Sequence, residues 1–223
     1  MTALKVVQFT PKAKRNKNAA RSNPRSQRVY FTPAQIKAYM RAARGEGQRE
    51  YALSVVGLSH GCRVSEICDL RIGDINFEQG TIHIRRKKNS EDSLQPMSPK
   101  EVQALRDWLK VRPTVDSDVV FVSRESSGSK NTATEPAAAY RMSRSQVFRI
   151  FQSICEAAGI PRSHWHCHVL KHSLAKLMLA KGANAFTVQK ALGHKSIQST
   201  LAYSRPSDFE AGAAIVSALK NAF

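Results

Sequence analysis

The sequence predicts a mainly helical α+β fold that carries one small antiparallel β-sheet. Three observations lead there. Capping signatures open amphipathic stretches, as at Thr32-Pro33-Ala34-Gln35 and Ser98-Pro99-Lys100-Glu101. One stretch alternates in the β manner, Thr81-Ile82-His83-Ile84, and it leads through a polar turn to Leu94-Gln95-Pro96-Met97. With 223 residues, 42% of them hydrophobic, the chain is long enough for one sizeable core plus an appendage, since domains usually run to about 100–200 residues.

The first segment, 1–28, holds Lys5, Lys12, Lys14, Arg15, Lys17, Arg21, Arg25 and Arg28, and the first acidic residue of the chain is Glu46. Such a segment cannot bury enough apolar surface to order itself. A basic disordered arm that tracks a DNA backbone is expected, with Lys12, Lys14, Arg15, Lys17, Arg21, Arg25 and Arg28 as DNA-binding residues. A merely solubilising tail is the alternative.

The folded domain is expected over 29–223. A helix follows the Thr32 cap over about 33–44, until Gly45 and Gly47 interrupt it. A second, around 50–59, carries Tyr51, Leu53, Val55, Val56 and Leu58 and is too apolar for a surface helix, so it belongs to the core. Gly61 turns the chain into Arg63, and Glu66, Ile67 and Leu70 continue as a short helix. The alternating strand from Thr81 ends in Arg85-Arg86-Lys87-Lys88, so the hairpin carries a basic cluster at its tip, and Arg85 and Arg86 join the DNA-binding candidates.

The capping box at Ser98 starts a helix through Val102, Leu105, Trp108 and Leu109. Val119 to Val122 predicts a short buried strand, and the Ser-, Gly-, Thr- and Ala-rich stretch 123–139 a flexible loop. Ser143 to Ala158 is amphipathic and closes at Gly159 and Pro161. A helix from His168 ends at Gly182. Asn184 caps a short helix to Leu192, Ser196 caps another that carries Thr200 and Tyr203, and Ser207 caps a last, alanine-rich one.

Charge narrows the class of partner. Thirty-five Lys+Arg against 17 Asp+Glu give a net charge of +18 and a pI near 10.2. That excess favours a polyanion, because neutralising phosphates releases condensed counterions. Cys62, Cys68, Cys155 and Cys167 form no CxxC and no dense framework, so reduced thiols are expected. No apolar run approaches the roughly 18 residues of a membrane helix, and no hydrophobic signal core opens the chain. A soluble cytoplasmic protein follows as the expectation.

The chemistry concentrates between His168 and Tyr203. His168, Lys171 and His172 share one helical face, since positions i, i+3 and i+4 are neighbours; Leu192-Gly193-His194 follows, with Tyr203 nine residues beyond His194. Taken singly, each residue has an ordinary structural explanation. Together they suit transesterification at a phosphodiester, which needs a nucleophile, cations on the phosphate and an acid for the leaving 5′ oxygen. A tyrosine suits the first role, because a phenol of pKa about 10 makes a phosphotyrosine bond that an incoming 5′ hydroxyl can reverse without a nucleotide cofactor. Arg63 and Lys171 are the candidate cations, one a planar fork and the other a point charge, and His172 and His194 can donate hydrogen bonds to the same oxygens.

The order and spacing resemble the tyrosine recombinase (phage integrase) family, whose motif is His, two residues, Arg, His, then Leu-Gly-His and a Tyr nine further on. Here it runs His168-Val169-Leu170-Lys171-His172, Leu192-Gly193-His194, Tyr203, with Lys171 standing where the family has Arg. Upstream, Gly61-Cys62-Arg63-Val64-Ser65-Glu66 and Leu70-Arg71-Ile72-Gly73-Asp74-Ile75 match the family's first arginine box. Two boxes in the right order, roughly a hundred residues apart, are far more demanding than one short motif.

The resemblance spans about residues 29–205 and implies the family's catalytic-domain fold. It implies cleavage of duplex DNA through a covalent 3′-phosphotyrosine at Tyr203, with Arg63, Lys171 and His194 at the phosphate, His168 as a helper near the tyrosine and Glu66 as a buried orienting partner. A hairpin lysine serves the family as general acid; Lys87 and Lys88 both fall in that window, and counting from Ile82 and Ile84 favours Lys88. The expected partner is double-stranded DNA with paired recombination sites, bound by four protomers, and no cofactor or metal is implied.

Most members carry a DNA-clamping helical domain ahead of the catalytic one, whereas here the basic arm precedes Thr32. In this the chain is similar to the short subgroup that includes the fimbrial phase-variation recombinases, as it is in His60-Gly61, Ser65-Glu66-Ile67-Cys68 and Lys100 to Leu105. DNA inversion is the outcome that subgroup suggests, with integration or excision the other possibilities.

Two rivals remain at this level. A DNA-binding regulator could keep the fold without cleavage, and Lys171 is its support. A basic metal-dependent nuclease is the other; His164, His166, Cys167, His168 and His172 invite a metal reading, but no HExxH glutamate accompanies His168 and His172.

Overall fold

Thr32 starts the first helix as its capping signature predicts. In the computed structural model, which describes residues 29–87, 91–123, 140–203 and 216, its hydroxyl accepts from the Gln35 N–H at 3.2 Å while the Gln35 side chain accepts from the Thr32 N–H at 2.9 Å. Helix α1 (Pro33–Glu46) runs through Gly45 and breaks only at Gly47. The basic arm, Lys88, residues 124–139 of the expected loop and all but Val216 of the last predicted helix lie outside the described residues.

Helix α2 (Gln48–His60) buries the continuous run from Arg49 to Gly57, as its all-round apolar composition requires. It packs against α1, against α4 (Pro99–Val111) and against α6 (His168–Ala180). Gly61 ends it in the left-handed region at φ +54°, and a Cβ there would meet Leu192 Cδ2 at 2.5 Å. Both the backbone sign and the close approach call for glycine. Gly61→Ala is therefore expected to destabilise the protein by about 2–4 kcal/mol, from left-handed strain plus overpacking, read as a lower midpoint in urea denaturation.

Helix α3 (Val64–Cys68) stops short of the expected Leu70, whose carbonyl accepts from the Val120 N–H at 2.8 Å. Residues 119–122 are buried as expected, but among the described residues they join no sheet. They make single bridges on opposite flanks, Arg71 with Val119 and Val122 with Arg141, so no ladder extends. The sheet itself is β1 (Ile75–Asn76), β2 (Thr81–Ile84) and β3 (Ser93–Pro96), antiparallel in that order. Ile82 lies opposite Gln95 and Ile84 opposite Ser93, with both isoleucines buried between the more exposed Thr81, His83 and Arg85. Strand β1 was not anticipated, since two residues show no period.

Helix α5 (Arg144–Ala157) carries the reciprocal cap of Ser143 and Gln146. The Asn184 side chain accepts from the Thr187 N–H at 2.8 Å to start α7 (Ala185–Leu192), which Gly193 closes in the left-handed region. Helix α8 (Gln198–Leu201) is a single turn.

The main core joins α2 to Phe31, Tyr39, Leu105, Phe121, Phe151 and Val169. A second cluster is formed by Ala175, Val188, Leu192 and Tyr203. The predicted nucleophile thus has its ring packed between α6 and α7. All four cysteines are free thiols, and burial pushes the Cys62 thiol up to about 12. Among the described residues no helix is long and apolar enough to cross a membrane.

Candidate active site

The left-handed turn at Gly61 delivers Arg63 to the start of α3, where Glu66 receives it twice. The Arg63 N–H donates to Glu66 Oε2 at 2.9 Å and its Nη1 to Glu66 Oε1 at 2.6 Å. Nη1 also reaches the Lys87 carbonyl at 3.2 Å. Burial alone would raise the Glu66 pKa, but hydrogen bonds from the Arg63 backbone and side chain, the Arg86 charge and the Lys87 N–H outweigh it and hold the carboxyl below its ordinary value. An ionised, fully buried carboxylate therefore aims Arg63, whose side chain keeps 22% of its surface exposed.

The hairpin cations divide. Arg85 is half exposed and pairs with Asp74 at 2.6 Å. Arg86, expected to face DNA, points inward instead, with its side chain wholly buried. Its Nη1 donates to Glu66 Oε2 at 3.1 Å, and its Nη2 to the carbonyls of His60 at 3.0 Å and Ala191 at 2.8 Å. A carboxylate and two carbonyls replace the water it leaves behind. The Lys87 ammonium forms an ion pair with Asp69, which also takes Arg141. Burial works to raise the Asp69 pKa, but those two partners prevail and lower it.

On α6, Lys171 is buried, and its ammonium donates to the Leu192 carbonyl at 2.6 Å. Burial, with the nearby charges of Arg86 and Arg63, pushes its pKa down to about 8. At the next residue, His172 Nδ1 hydrogen-bonds the Tyr203 hydroxyl, with ring centroids 5.5 Å apart. His194 stacks on Tyr203, its ring 6.4 Å away and inclined by 15°, with Nδ1 held by the Thr200 hydroxyl at 2.8 Å. His168 lies at the exposed start of α6, its ring 6.3 Å from that of His172. Tyr39 offers no rival nucleophile: it is buried in the main core, where desolvation pushes its phenol far up. Among the described residues no group of three or more His, Cys, Asp or Glu side chains is arranged to hold a metal.

The fold thus brings Arg63, Glu66, Lys171, His172, His194 and Tyr203 to the junction of α3, α6, α7 and α8, with Lys87 contributing its backbone. Several supporting residues were not foreseen. Glu101, expected to complete the cap of α4, sends its carboxylate to His60 Nε2 at 2.6 Å, while Ser98 alone caps the helix. His60 Nδ1 meets Gln95 at 2.7 Å, and the Gln95 amide donates to the Ala191 carbonyl at 2.9 Å. Only the position of His60, next to Gly61, hinted at this. Asp69, Arg141 and Thr200 gave no signal in the sequence.

Comparison with known proteins adds an independent line. The Phage integrase family model matches residues 29–210. The type 1 fimbriae regulatory protein FimE of Escherichia coli K12 is 31% identical over 184 residues, covering 80% of this chain and 86% of FimE. The crystal structure of XerA recombinase superimposes with a TM-score of 0.68 at 27% identity, over 86% of this chain and 65% of that one. XerH site-specific recombinase, solved bound to its difH substrate, superimposes with a TM-score of 0.70 at 20% identity, covering 85% of this chain and 54% of that one, a likeness of fold.

Proposed function

The chain belongs to the phage integrase family, and on that premise we propose that it is a site-specific recombinase that cuts and rejoins duplex DNA through a 3′-phosphotyrosine at Tyr203. The observation that carries this is the seating of Tyr203: its hydroxyl is bonded to His172, its ring is stacked on His194, and it packs beside the helix that carries Lys171. The Tyr203 oxygen attacks the phosphorus and passes its proton toward His172. The bond from phosphorus to the 5′ oxygen breaks, and that oxygen leaves as a hydroxyl. Rejoining runs the same step backwards with an incoming 5′ hydroxyl.

Charge gathering on the non-bridging oxygens meets cations already in place, the effect that usually contributes most in such sites. Arg63 is aimed by Glu66. Lys171 has three donors, of which the Leu192 carbonyl takes one. With Nδ1 held by Thr200, His194 would donate from Nε2. Lys88 is assigned as general acid, in keeping with the engagement of the Lys87 ammonium by Asp69, and His168 assists at the entrance.

DNA with paired sites, bound by four protomers in the cytoplasm, is the proposed substrate complex, and the resemblance to the short fimbrial phase-variation subgroup favours inversion as the outcome over integration or excision. The test is a nicked duplex that traps the covalent adduct, run in excess chelator. An adduct is expected; its absence would favour a binding-only regulator, and dependence on a divalent metal a nuclease.

The arm over 1–28 is assigned to the DNA backbone. Its deletion is expected to weaken binding and to flatten the salt dependence by about 0.9 in log–log slope for each phosphate that the arm neutralises. An unchanged slope in titrations across salt would reduce the arm to a solubilising tail.

A further inference from the structure

The Lys171 ammonium and the Arg86 guanidinium take neighbouring carbonyls at the C-terminal end of α7, those of Leu192 and Ala191. These are among the last carbonyls of the helix, which have no partner within it and sit at the negative end of its dipole. Arg86 holds the Glu66 carboxylate by the other arm of its fork, on the oxygen that the Arg63 backbone also uses. A single buried side chain therefore spans the glutamate that aims one phosphate-binding cation and the helix end that receives the other. It bears on His194 as well, since Gly193 packs on its stem: a Cβ at Gly193 would lie 3.3 Å from Arg86 Cδ.

We propose that Arg86 is a positioning residue of the recombination reaction, setting Arg63, Lys171 and the Leu192-Gly193-His194 turn in register with one another. The proposal rests on the recombinase reading above. It gives the residue a role that surface contact with DNA does not explain, because no part of its side chain is exposed. The buried charge is nearly satisfied, with Nε alone lacking a hydrogen-bond partner. Holding two cations around one carboxylate is costly unless the geometry is good, and the fork shape of arginine supplies that geometry where an ammonium would not.

The electrostatic consequence is specific. Lys171 faces Arg86 from the hairpin, Arg63 and Glu66 from α3, Cys62 from the turn after α2 and the Leu192 carbonyl from α7. Arg86 is the foremost of the charges that hold its proton affinity down, after burial itself. Removing that charge should raise the pH at which Lys171 titrates; loss of burial would raise it too, so Arg86→Lys, which keeps the charge, separates the two causes.

The experiment uses the full chain with Arg86→Met and Arg86→Lys. Wild type and variants are compared in DNA affinity, in single-turnover adduct formation on saturating nicked duplex, and in the Lys171 titration followed by NMR of labelled lysine. Arg86→Met is expected to keep wild-type affinity, to lose cleavage by about 100-fold, the scale of a misplaced catalytic group, and to titrate Lys171 at higher pH. Arg86→Lys keeps the charge, so its Lys171 titration should stay near that of wild type while cleavage still falls, and it serves if the methionine variant does not fold.

Wild-type cleavage in both variants, or a Lys171 titration unmoved in a folded Arg86→Met, would overturn the proposal. So would loss of DNA affinity in step with cleavage, which would mark Arg86 as a DNA contact. Absence of an adduct from the wild type would overturn the recombinase reading instead, and the Lys171 titration would still report whether Arg86 sets that charge.

Discussion

Tyr203→Phe is expected to abolish the covalent protein–DNA adduct while leaving the fold and DNA affinity close to wild type. The substitution removes one oxygen and keeps the ring, which packs with Ala175, Val188 and Leu192. What is lost in the free protein is the hydrogen bond to His172, with a net contribution of about 0.5–1.5 kcal/mol. What is lost in the reaction is the nucleophile itself, for which no neighbouring side chain can substitute: His172 and His194 flank the phenol as imidazoles, and a histidine adduct would be a different, acid-labile species. The measurement is denaturing electrophoresis of protein incubated with a nicked duplex, followed by mass spectrometry of the attached peptide. An adduct surviving in Tyr203→Phe, or mapped to Tyr30, Tyr51 or Tyr140, would sink the assignment.

The second large effect belongs to Lys171, where the chain carries lysine in place of the family's arginine. Lys171→Ala is expected to lower cleavage by about 100- to 1,000-fold, the loss seen when one transition-state donor is removed, with little change in affinity for DNA. Lys171→Met fills more of the buried site and should show the same loss, separating charge from packing. Lys171→Arg is expected to retain activity if the wider guanidinium can keep the Leu192 carbonyl, to which the ammonium now donates.

The pKa near 8 gives the residue a pH signature. Before DNA binds, the ammonium is charged below about pH 8 and neutral above it. A phosphate beside it favours the charged form, so binding above pH 8 should take up a proton. In the unfolded chain Lys171 returns toward 10.5, so between about 8 and 10.5 the unfolded state binds the extra proton and this group's contribution to stability rises with pH. Single-turnover cleavage by wild type and the three variants decides the matter; equal rates for wild type and Lys171→Ala would show that Lys171 is not a catalytic cation. An adduct formed only by Lys171→Arg would identify the wild type as a binding protein that has lost cleavage.

The elements that local chemistry controls were legible in the sequence. Thr32 with Gln35, and Asn184, satisfy N–H groups three residues away, so the caps of α1 and α7 follow from neighbours in the chain. The β2 alternation sorts Ile82 and Ile84 inward for the same local reason. The order and spacing of Arg63, His168, Lys171, His172, His194 and Tyr203 also pointed to the chemistry, through their resemblance to the tyrosine recombinase motif.

What the tertiary structure alone decided is where side chains with more than one possible partner send their polar ends, and with what proton affinity. Arg86 stands in a run of four cations that reads as a solvated tip, yet its carbonyl partner at Ala191 lies 105 residues away and draws it inside. Glu101 fits a capping box but finds His60 across the core, 41 residues away. Lys171 differs from a surface lysine only through burial and through Arg86 and Arg63 gathering around it. Capping and alternation are settled within a few residues of chain, so sequence determines them. Desolvation and ion pairing depend on distances between segments remote in sequence, and those distances exist only once the core has packed.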